Sequence, residues 1–108
     1  MIPGVRESDI LLAVRDLLAM RGFKVWRQNA GSHPVKGGFA RLAPRGSSDL
    51  IGYHKGSGRA LCVEVKRPGK KPSQEQQQWL QEAFEAGCVA FWCDSVAMAE
   101  AELRRYGL

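Results

Sequence analysis

Acidic residues are nearly missing from the middle of this 108-residue chain. From Leu17 to Lys71 there are twelve lysines and arginines but only two acids, Asp49 and Glu64. The ends do not share that bias, because residues 72–108 hold two basic and six acidic side chains. A basic middle of this kind suits a polyanion, most often nucleic acid, although charge alone fits an ordinary solvated surface equally well. Cysteine is scarce too. Cys62, Cys88 and Cys93 are odd in number, lie in or beside apolar runs and form no CxxC pair, and the only histidines are His33 and His54. That pattern argues against a disulfide scaffold or a zinc site, and with no signal peptide it leads us to expect a reducing, intracellular (cytoplasmic) setting. No apolar run approaches the roughly 20 residues of a membrane span.

What remains is an ordinary globular composition, 44% apolar and 25% charged. The length allows one modest core, so residues 1–108 are expected to form a single domain. In "ESDILLAVRDLLAMR" (7–21), Ile10, Val14, Leu17 and Leu18 share one helical stripe, and Gly22 offers a C-terminal cap. "FKVWRQ" (23–28) alternates like a strand. Residues 29–48, rich in Gly, Pro and Ser, read as a long basic loop with a short strand at Phe39–Leu42. "DLIGY" and "ALCVEVK" read as two strands of a hairpin joined by "HKGSGR". Ser73 should cap a helix reaching about Ala86, with Trp79, Leu80, Ala83 and Phe84 buried. "CVAFWC" (88–93) is expected as a buried strand, and Ser95 as the cap of a last helix through Arg105. This order predicts an α/β fold in which helices flank a small mixed sheet.

The two acids of the basic segment both fall in strand-like runs. If the hairpin turns about Lys55–Gly58, paired residues sum to 113, and Asp49 and Glu64 oppose each other on one face, roughly 4.5–5.5 Å apart at Cβ. Strand alternation adds Lys66 to that face and turns Leu61, Val63 and Val65 inward. Opposed carboxylates repel, and a divalent cation such as Mg²⁺ resolves the conflict while keeping positions for water and phosphate. Such a centre can polarise a phosphoryl oxygen and activate water, with Lys66 orienting or deprotonating that water. The same residues can equally form a cross-strand charge cluster with no catalysis.

These blocks resemble the PD-(D/E)XK nuclease superfamily and, within it, a stand-alone VRR-NUC domain. The resemblance rests on Glu7 opening the first helix, Arg27–Asn29–Gly31, Gly46–Asp49–Gly52, Glu64–Lys66 and Gln76, in order, over about Glu7 to Trp92. It implies a restriction-endonuclease-like αβββαβ core and a Mg²⁺- or Mn²⁺-dependent endodeoxyribonuclease. Asp49, Glu64 and the Val65 carbonyl would hold the metal, Lys66 would be the catalytic lysine, and Glu7 and Gln76 the accessory polar residues. One departure is Ser48, where a proline commonly precedes the aspartate. Stand-alone members, often carried by bacteriophages, are homodimers acting on branched DNA, including four-way (Holliday) junctions. Arg27, Asn29, Arg45, Arg67, Lys70 and Lys71 are then expected to contact DNA, the last three beside the active face. Plainer roles remain open: Glu7 as a helix-dipole acid, Gln76 as half of a capping box with Ser73, and Arg27 and Asn29 as strand-end residues. Two other functions also stand beside this one, a non-catalytic DNA-binding module on the same fold and a restriction-type nuclease reading a duplex sequence.

Overall fold

The computed structural model describes residues 5–28, 32–41 and 46–108. Its elements run α1 (Glu7–Met20), β1 (Phe23–Arg27), β2 (Ser32–Val35), β3 (Gly38–Arg41), β4 (Leu50–His54), β5 (Ala60–Val65), α2 (Gln74–Glu85), β6 (Val89–Cys93) and α3 (Val96–Arg105). With the β2–β3 hairpin set aside, this is the αβββαβ order followed by one more helix. The main sheet has the order β1-β4-β5-β6, antiparallel except for the parallel β5–β6 pair, so it is mixed.

Two apolar layers sandwich the sheet. Ile10, Leu11, Val14 and Leu18 of α1 and Ala99 and Leu103 of α3 pack against Leu61, Val63, Val65, Val89, Phe91 and Cys93 on one face. On the other, Leu80 of α2 packs with Cys62 and Ala90, supported by Trp79 and Ala83. A strand buried on both faces needs apolar residues at every position, and this accounts for the bulk of "CVAFWC" within one chain. Leu61, Val63 and Val65 are fully buried on the α1–α3 side, which leaves Cys62 and Glu64 facing α2.

Two expectations need correction. The long-loop reading of 29–48 missed β2, since Ser32–Val35 pairs antiparallel with Gly38–Arg41 around a turn at Lys36–Gly37. Leu42, the last residue of the expected strand, lies outside the described residues. Phe84, expected inside, is 53% exposed. Helix α2 reaches the sheet through Trp79, Leu80 and Ala83, and Phe84 instead meets Tyr106 edge-on, ring centroids 6.3 Å apart. Tyr106 in turn closes the outer edge of β6: its hydroxyl accepts from Ala90 N at 3.2 Å and donates to Ala90 O at 2.9 Å. One side chain thereby satisfies backbone groups that a neighbouring strand would otherwise pair.

Candidate active site

The β4–β5 ladder has the register the sequence suggests: Tyr53 faces Ala60, Ile51 faces Cys62 and Leu50 faces Val63. It stops one pair short of Asp49 and Glu64. At that point the Asp49 carboxylate turns along β5, and its Oδ2 accepts the Val65 backbone N–H at 3.0 Å. Val65 is the last residue of β5, so this bond fixes the carboxylate at the open end of the ladder.

Glu64 is only 2% exposed. Its Oε1 accepts from Gln76 Nε2 at 2.9 Å and lies 3.6 Å from Lys66 Nζ. Its Oε2 is buried with no hydrogen-bond partner among the described residues. Burial above all, and then the neighbouring Asp49, raise the Glu64 carboxyl against the pull of Lys66, to about 8 in all. An acid with one buried, unsatisfied oxygen is costly in a purely structural role.

Gln76 reaches this site without giving up its helix. Ser73 Oγ accepts from Gln76 N at 3.1 Å, Ser73 N donates to Gln76 Oε1 at 2.8 Å, and Gln76 Nε2 remains free for Glu64. The capping box and the contact to Glu64 are therefore made at the same time, and the two readings of Gln76 are compatible.

The other expected residues are less tightly gathered. Exposed Glu7, in the first turn of α1, lines an open cleft of about 600 Å³ with Lys66, Arg67, Lys70 and Lys71. The three outer cations stand exposed, as a surface for phosphates requires. Arg27 is exposed at the end of β1. Asn29 and Arg45 lie outside the described residues. Cys93 is fully buried and its thiol is pushed up to about 12 by burial, the behaviour of a core cysteine.

Two residues escaped the sequence reading. Gln28, one position past β1, donates from its backbone N to Asp49 O at 2.7 Å and from Nε2 to Ser47 Oγ at 3.1 Å. Ser47 is 5% exposed. The signal that could have raised suspicion is the "GSSD" run, two small polar residues in a segment leading straight into a buried strand.

The two carboxylates, one of them with a buried, unsatisfied oxygen, suit a hard divalent cation. Among the described residues no group of three or more His, Cys, Asp and Glu side chains gathers. A centre here would therefore rest on two carboxylates, with water and phosphate filling the remaining positions.

A mixed four-stranded sheet flanked by helices in αβββαβ order has the restriction-endonuclease-like fold. The VRR-NUC domain matches residues 40–97, more than half of the chain, and the chain belongs to that family, which puts it among nuclease-type, DNA-acting domains. A search of the curated proteins and one of the solved structures each found no match.

Proposed function

We propose that this DNA-acting domain is a metal-dependent, structure-specific endonuclease that hydrolyses phosphodiester bonds in branched DNA, four-way junctions included, as a homodimer. The observation that carries the reading is the buried Glu64, its Oε2 unsatisfied and its Oε1 beside Lys66, one residue from the amide that holds Asp49. Asp49, Glu64 and the Val65 carbonyl would hold Mg²⁺ or Mn²⁺. When bound, the cation supplies Lewis-acid polarisation of the phosphoryl oxygen and lowers the pKa of its water.

The remaining work falls to the chain. Arg67, Lys70 and Lys71 hold the sugar–phosphate backbone along the cleft that Glu7 and Lys66 also line. Lys66 presents its ammonium where charge develops on phosphorus and orients the attacking water. Gln76 keeps the Glu64 carboxylate aimed, so that the acid does not turn to neutralise Lys66 alone. A two-fold dimer places two such sites at a fixed separation, which symmetric cutting of a junction requires.

The test is cleavage of a four-way junction and of a linear duplex built from the same strands, in Mg²⁺, Mn²⁺ or EDTA, with the oligomeric state read by sedimentation. Metal-dependent cutting of the junction by a dimer is expected. Tight binding without cutting in either metal would leave a DNA-binding module instead, and cutting confined to one duplex sequence would indicate a restriction-type enzyme.

A further inference from the structure

The segment that delivers Asp49 to the site is held at successive points before the carboxylate is reached. At Gly46 (φ 81°) a Cβ would stand 2.8 Å from the Glu75 carbonyl oxygen, so the backbone lies directly against the first turn of α2. Ser47 and Ser48 are both buried. Gln28 then bonds the segment twice, its side chain to Ser47 and its backbone N–H to the Asp49 carbonyl. The backbone bond continues the β1–β4 ladder by one residue, because Arg27 already faces Leu50. The side-chain bond does not belong to the ladder. It ties the chain leaving β1 to the chain entering β4, 19 residues apart.

We propose that Gln28 is a positioning residue. Its bond to Ser47 holds residues 46–49 so that the Asp49 carboxylate stays on the Val65 amide and beside Glu64, ready to share a divalent cation. This rests on the nuclease reading above, yet it concerns geometry that exists without metal. Gln28 touches no reacting atom and acts only through Ser47 and Asp49. The side chain is half-buried and uncharged, so its contribution is directional: it removes the freedom of the approach to swing Asp49 away.

The Val65 N–H is a direct reporter, because it donates to the Asp49 carboxylate rather than to a neighbouring strand. Gln28→Met keeps the length of the side chain and removes the donor, and Ser47→Ala removes the acceptor. In metal-free protein each is expected to speed hydrogen exchange at Val65 about fivefold, the worth of one ordinary hydrogen bond. Amides of Leu61 and Leu103 should keep their wild-type rates. Calorimetric titration with Mn²⁺ alone should show affinity weakened about fivefold in each variant, and no further in the double variant, since both act through one bond. Unchanged exchange at Val65, or uniform acceleration across the sheet, would overturn the proposal, the second result showing a merely structural role. If wild-type protein bound no Mn²⁺, the nuclease reading would fall while the exchange rates still decided whether Gln28 positions Asp49.

Discussion

At the scale of single residues, Glu64 ties stability to pH. In chelator its carboxyl titrates near 8 in the folded chain, because burial and Asp49 disfavour the charge, against about 4.5 when unfolded. Between those values the folded state holds the proton and the unfolded state does not. The folded state is therefore favoured at the acid end of the window, and stability falls as pH rises from about 5 to 8. Thermal melts in EDTA should show the midpoint dropping by several degrees across that range. Glu64→Gln, which cannot ionise, should flatten the slope and melt above wild type at pH 8. Divalent cation binding should strengthen over the same range, since metal and proton compete for one carboxylate.

At the scale of elements, α2 carries one polar side chain with two tasks. Ser73→Ala removes the acceptor of Gln76 N and should cost about 1 kcal/mol by urea unfolding. Gln76→Ala removes the reciprocal bond to Ser73 N and also leaves Glu64 Oε1 without its amide donor. It should destabilise to a similar degree yet lower the cleavage rate about tenfold more than Ser73→Ala does. Equal rate losses would mean that capping alone matters. The turn between β5 and α2 has a separate part. Arg67, Lys70 and Lys71 project from it into the cleft beside Lys66. Lys70→Ala should weaken junction and duplex binding alike and reduce the slope of log K against log salt by about one, measured by fluorescence anisotropy across salt concentrations.

At the scale of the whole molecule, the sequence carried the sheet's register further than its boundaries. Leu61, Val63 and Val65 alternate cleanly against the glycine-containing turn, so a one-residue slip would have put all three on the wrong face. That alternation is why Glu64 and Lys66 could be placed beside Asp49 from spacing. It could not show that the ladder ends at Leu50, so that Asp49 meets the Val65 amide. Helical periodicity gave the buried direction of α2 but not the width of the sheet beneath it, and Phe84 fell past the edge. Strand β2 contains Pro34 and has little apolar alternation, so its pairing with β3 had no pattern to announce it. The Gln28–Ser47 bond is a meeting of two small polar features distant in sequence, which only the folded sheet brings together.

The central claim is that Lys66, beside the buried Glu64, does chemistry rather than only balance charge. The most direct test is to measure binding and single-turnover cleavage of one four-way junction by wild type and Lys66→Ala, at saturating protein in Mg²⁺. We predict that the variant binds the junction within about threefold of wild type, since the outer cations hold the backbone, and cuts it at least a hundredfold more slowly, the usual scale for a lost electrostatic or proton-transfer group. Cleavage by Lys66→Ala at the wild-type rate would contradict the account and leave the lysine as a counter-charge to Glu64.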